Sequence, residues 1–160
     1  MDLRTKGFTL IEVLVALGVL LILITMAVPS FTGSLQSTKA DTEIGDLQRA
    51  LNFARMEAIN RGITTRVRPT AQGGAWNSEL IVYDNTGNPT TPTNVLRVVP
   101  AMGSGATLTL TSEVTSIDFN NLGGLSGLAV PVSFNYVRGA QSRTLSVCLN
   151  GRIVLNGNCG

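Results

Sequence analysis

Few residues in this 160-residue chain are placed to do chemistry. Glu12 is a lone carboxylate inside an apolar run, and just ahead of it stands the step Lys6-Gly7-Phe8. Cys148 and Cys159 are the two thiols. Arg138, Arg143 and Arg152 supply the basic groups near the end. His is absent. With two Cys and no His, the usual zinc ligand sets cannot be assembled. A His-based triad is excluded as well. Ser–Lys chemistry stays open in principle, yet Lys39 is the one Lys after Lys6 and no motif surrounds it. Gly73-Gly74 falls in a loop and precedes no helix, so it is no phosphate cradle. The expectation is no catalytic residue, no metal and no cofactor. Apolar residues make up 44% and charged residues 14%, which argues against a long disordered tail. A net charge of +2 is too small to hold nucleic acid by charge alone. These features point to a structural or binding role.

Each of these groups needs an element to position it. Val13 to Val28 is an unbroken uncharged run, and from Phe8 the segment carries one charge, Glu12. A helix of that length is about 31 Å long, one hydrocarbon thickness. A buried core helix would show a polar face, and this segment has none. It reads as a membrane span, with Arg4 and Lys6 suiting a cytoplasmic end. The run ends in Met26-Ala27-Val28-Pro29-Ser30, without the small-residue site of an ordinary secretory signal. A carboxylate at mid-bilayer costs about 2.5–3.5 kcal/mol on insertion scales, so Glu12 calls for a partner.

Lys6-Gly7-Phe8-Thr9-Leu10-Ile11-Glu12-Val13 resembles the processing site of type IV pilins and type II secretion pseudopilins. In that family a prepilin peptidase cuts after the Gly, here Gly7, and methylates the new N-terminal residue, here Phe8. The family's Glu and Pro at their fixed mature positions fall on Glu12 and Pro29. The resemblance implies that Glu12 pairs with the terminal amine of a neighbouring subunit, and that Glu12 and Pro29 serve subunit assembly. It also implies other minor pilins and a major pilin as partners, with the inner membrane holding the chain before assembly.

Beyond the apolar run, Ser30 to Lys39 is polar and small. From Asp41 to Arg61 a helical pattern returns. Ile44, Leu47, Leu51, Ala54 and Ala58 form an amphipathic stripe. Gly62 is a plausible stop. One long helix from about 9 to 60 is predicted, bent at Pro29 and weakened at Gly33 and Gly45. Strand signals follow at 63–68, 79–84, 95–99, 107–110, 116–119, 132–137, 143–149 and 152–155. The stretch 85–94 is an exposed loop by composition. Gly139 marks one hairpin. Asn150-Gly151 marks another, expected as a two-residue turn with positive φ at both residues. The expected fold is α+β and type IV pilin-like, a long N-terminal helix packed on an antiparallel sheet. Residues 1–7 are a leader, 8–29 the span, 30–61 the second half of the helix and 62–160 a β-rich domain. Leu145, Val147, Val154, Phe134 and Tyr136 are expected to cover the stripe.

Trp76–Tyr83, then Ile117-Asp118-Phe119 with Gly123-Gly124, then Leu145–Val154 resemble in their order the GspH/FimT group of minor pilins and pseudopilins. Trp76 reads as a core or rim anchor rather than a ligand-binding residue. Cys148 and Cys159 lie beyond the span, in a compartment where disulfides form. A two-residue turn would set Cys148 opposite Ile153 and Val147 opposite Val154. Asn156-Gly157 then turns Cys159 back toward Cys148. Some FimT-like pilins take up DNA through a Gly-Arg-x-Arg motif. Here Gly151-Arg152-Ile153-Val154 keeps only the first Arg, with Arg143 and Arg138 as added positive surface. Without Asp2, Arg4 and Lys6 the chain keeps ten basic against nine acidic side chains, and few aromatics to stack on bases. Ordinary solvated arginines are the stronger reading. The function expected is a minor pilin near the tip of a type IV pilus that helps start assembly. The alternatives are a type II secretion pseudopilin and a DNA-receptor pilin.

Overall fold

The computed structural model describes residues 7–87, 92 and 94–160, with the side chains of residues 26–30 outside that description. The leader positions Arg4 and Lys6, and the side chain of Pro29, therefore lie outside the described residues, as does part of the loop expected at 85–94. One helix, α1, runs Leu10–Arg61. Its stop is the predicted glycine. Gly62 takes φ +65°, its N–H donates to Ile59 O at 3.3 Å, and the N–H of Ile63 donates to Ala58 O at 3.2 Å. These two bonds form a Schellman cap.

The chain divides into two compact units, residues 1–35 and 36–160. In the first, the described apolar side chains from Leu10 to Ile24 are exposed on every side of the helix. Among the described residues no helix is long and apolar enough to cross a membrane. The described side chains of this segment end at Thr25, and the span expected over 8–29 continues past them.

Among the described residues, the second unit holds the rest of α1 and nine strands. These are β1 (Thr65–Pro69), β2 (Leu80–Asp84), β3 (Val95–Val99), β4 (Ala106–Leu110), β5 (Ile117–Phe119), β6 (Leu125–Ser126), β7 (Val132–Arg138), β8 (Gln141–Val147) and β9 (Ile153–Leu155). They form two antiparallel sheets, ordered β3-β2-β1-β5-β6 and β4-β7-β8-β9. The stripe Ile44, Leu47, Leu51, Ala54 and Ala58 is buried, joined by Ala40 and Ala50. Phe134, Tyr136, Leu145 and Val147 share its core. Leu80, Ile81, Val82 and Tyr83 of β2 are all buried, which is why this strand reads as a continuous apolar run rather than an alternation.

The last hairpin differs from its expected register. Val147 pairs with Ile153, Ser146 with Val154 and Leu145 with Leu155. The loop is three residues, Leu149-Asn150-Gly151. The N–H of Gly151 donates to Cys148 O at 2.8 Å, and the N–H of Cys148 donates to Arg152 O at 2.9 Å. Gly151 alone takes positive φ, +77°. The loop is a tight turn followed by a glycine bulge, not the mirror-image turn expected. One residue of slip exchanges the faces of a strand. Ile153 therefore packs on the core, and Val154, expected as cover for the stripe, lies on the other face.

Candidate functional site

At its start, α1 is capped by the residue before it. Thr9 O accepts from the N–H of Val13 at 3.2 Å, and Thr9 Oγ1 accepts from the N–H of Glu12 at 3.3 Å. Thr9 is thus the N-cap, and Glu12 stands at the third helical position, where the helix dipole favours a carboxylate. Phe8 is 81% exposed, and Gly7 has nothing within 4 Å of where a Cβ would stand. The four-residue step from Thr9 to Glu12 is a cap signal that the sequence reading passed over.

At the opposite end of the chain, Cys148 and Cys159 are joined in a disulfide, with Cα atoms 5.4 Å apart. Ser146 Oγ donates to Gly157 O at 2.9 Å, which holds the tail against β8. The turn beside the disulfide is wedged among three segments. Arg55 Nε donates to Gly123 O at 3.0 Å, and the N–H of Leu125 donates to Leu149 O at 2.9 Å. A Cβ on Gly151 would stand 1.7 Å from Gly123 O. Gly151 is therefore required by space as well as by φ. Trp76 is a core anchor. Its Nε1 donates to Val114 O at 3.0 Å, and its ring meets Phe134 edge-on at 5.2 Å.

The three arginines weighed for nucleic acid do not form one surface. Arg138 Nη1 donates to Glu43 Oε1 at 2.7 Å, and its Nη2 donates to Ser104 O at 3.0 Å. Glu43 Oε2 also accepts from Tyr136 Oη at 2.6 Å. Burial, with the Glu43 hydrogen bond next, pushes the Tyr136 hydroxyl above its ordinary value. Arg143 Nε donates to Asp41 Oδ1 at 2.7 Å, and its Nη2 donates to Ser37 Oγ at 3.2 Å. Tyr136 beside Arg138, with Glu43, and Asp41 accepting from Arg143 hold the two guanidiniums above their usual range. On β1, Arg66 forms a two-pronged bridge to Asp118 at 2.7 and 2.5 Å, and this holds the guanidinium charged. Arg152 is exposed and donates to Cys159 O at 3.4 Å. Arg143 and Arg138, expected as solvated surface, face Asp41 and Glu43, three residues and one residue before Ile44 of the stripe, a pairing that no local pattern announces. Among the described residues, no group of acidic, Cys or His side chains is arranged to hold a metal ion.

Two solved structures of the type IV minor pilin FimU of Pseudomonas aeruginosa share this fold. One superposes with a TM-score of 0.66 at 19% identity, covering 76% of this chain and 90% of its own. The other reaches 0.62 at 21% identity, covering 73% and 92%. The minor pseudopilin EpsH of the type 2 secretion system of Vibrio cholerae matches with a TM-score of 0.52 at 15% identity, covering 73% and 95%. No curated protein matches the sequence. Residues 3–28 match the prokaryotic N-terminal methylation motif. Residues 43–152, from the helix stripe to the Gly-Arg turn, match the family model described as type II transport protein GspH. The long helix, the two antiparallel sheets and these two matches agree: the chain belongs to the GspH family of minor pilins and pseudopilins, and its fold is α+β and type IV pilin-like.

Proposed function

We propose that the chain is a minor pilin of a type IV pilus, standing near the filament tip and helping to start assembly. The observation that carries this reading is the closer superposition on the pilus subunit FimU than on the secretion subunit EpsH, in a chain that also has the N-terminal methylation motif. In this reading a prepilin peptidase removes residues 1–7 by cutting after Gly7 and then methylates Phe8. The chain waits in the inner membrane, held by residues 8–29, with residues 30–160 on the periplasmic side. In the filament Glu12 meets the terminal amine of a neighbouring subunit, and Pro29 shapes the helix where subunits pack. The Cys148–Cys159 bond holds the tail as a fixed surface for the next minor pilin. The partners are other minor pilins and the major pilin, and the chain is a substrate of an enzyme rather than one itself. Nucleic acid is left out, because Arg138 and Arg143 are spent on Glu43 and Asp41.

A second reading, a pseudopilin of a type II secretion system, is favoured by the description of the family model. Deleting the gene and restoring it on a plasmid separates the two. Loss of surface pili and twitching, with protein secretion retained, is the expected outcome. Lost secretion with intact pili would replace the pilus reading by the secretion one.

A further inference from the structure

The sheet β4-β7-β8-β9 sorts its side chains by charge. Its inner face carries Arg138 and Arg143, both bridged to acidic residues of α1. Its outer face follows from the register and bears Thr107 and Thr109, Ser133, Asn135 and Val137, Ser142, Thr144 and Ser146, and Val154. None of these is charged. At one end of this face β8 outruns β9. Pairing with β9 begins at Leu145, and the last backbone contact is the N–H of Asn156 donating to Thr144 O at 2.7 Å. By the alternation of an antiparallel ladder, the backbone of Ser142 points to the same side as that of Thr144, where no strand continues.

A cleft of about 490 Å³ opens there, lined by Ser142, Arg143, Thr144, Asn156, Gly157 and Asn158. This size lies within the range of small-molecule sites. The Arg143 guanidinium is bridged to Asp41, donates to Ser37 Oγ, and donates from Nη1 to Ser142 O at 2.9 Å, so the cleft offers an anion no charge that is not already paired, and the Ser142 carbonyl is already an acceptor. Asn156 Oδ1 accepts from the N–H of Thr144 at 3.2 Å, which fixes the amide so that its NH₂ group remains for a ligand. Ser142 and Asn158 are exposed. Hydroxyls and amides at fixed positions, without a charge, suit a ligand that both donates and accepts at many points.

We propose that this cleft binds a neutral, hydroxyl-rich ligand of the carbohydrate class. The inference goes beyond the pilin reading and does not depend on it. No aromatic ring lines the cleft to stack on a sugar face, so binding is weak, in the millimolar range.

The test uses the full chain in micelles of a detergent without a sugar headgroup, such as lauryldimethylamine oxide. Maltose, lactose and N,N′-diacetylchitobiose are offered as probes, read by saturation-transfer NMR. Transfer to the ring protons of at least one is expected. A double variant, Ser142→Leu with Asn158→Leu, should reduce the affinity at least about fivefold, the worth of one neutral hydrogen bond. Its melting temperature should be unchanged, since neither side chain is tied into the fold. Transfer from none of the three probes overturns the proposal, and so does transfer unchanged in the variant. Displacement by inorganic phosphate would mark an anion site and overturn it too. A chain that assembles into pili yet fails here leaves the pilin reading intact.

Discussion

Gly62 and Gly151 have similar backbones and different surroundings. Both take positive φ, +65° and +77°. A Cβ on Gly62 would meet nothing within 4 Å, while on Gly151 it would stand 1.7 Å from Gly123 O. Gly62→Ala should therefore cost only the backbone term, about 1–2 kcal/mol. Gly151→Ala adds a clash with backbone and should cost about 3 kcal/mol or more. Urea denaturation of a soluble fragment starting near residue 30 measures both, and equal costs would show that the turn relaxes freely. Tyr136 gives a prediction in pH. Its hydroxyl is raised by burial and by Glu43, so the neutral form is favoured in the folded state. The stability it contributes is complete below the unfolded value, about 10, and is lost as pH rises above that. Tyr136→Phe should flatten the fall in stability above about pH 10. A fall of the same slope in the variant would place the cause elsewhere.

The elements were legible to different depths. The stripe and Gly62 gave α1 its inner face and its end, because a 3.6-residue period and a glycine stop are local signals. The strands of the second half fell within a few residues of their expected bounds, since β-branched runs between turn residues are also local. β6 was missed, as Leu125–Ser126 is too short to carry a period. The slip in the last hairpin has a different cause. Asn150-Gly151 permits both a two-residue and a three-residue loop, and the choice falls to the packing of Gly151 against Gly123, a contact that no local pattern encodes. Two substitutions test this scale. Leu51 is fully buried in the core, so Leu51→Ala should cost about 2–5 kcal/mol, and Leu51→Asp should abolish the cooperative melt of the same fragment by burying an unpaired charge. A melt unchanged in both would contradict the assigned packing. Replacing both Cys148 and Cys159 by Ser should cost about 2.5–3 kcal/mol by chain entropy and leave the circular dichroism spectrum native-like. An unchanged melting temperature would mean that the bond does not constrain the fold.

For the molecule as a whole, the candidate site was legible where a motif is linear and opaque where it is assembled. Gly7, Phe8 and Glu12 stand within six residues and need no fold to be recognised. The fate of Arg138 and Arg143 depends on Glu43 and Asp41, about a hundred residues away, and only the folded chain brings them together. Glu12→Ala carries the assembly reading. It makes the apolar segment more apolar, so insertion should be unharmed, while incorporation into filaments should fall. The central claim is that this chain is a processed subunit of a pilus. Mass spectrometry of the chain recovered from sheared pili tests it most directly. The recovered chain should begin at N-methylated Phe8 and keep Cys148 and Cys159 joined. A chain absent from the pilus fraction, or one present with any other N-terminus, would contradict it.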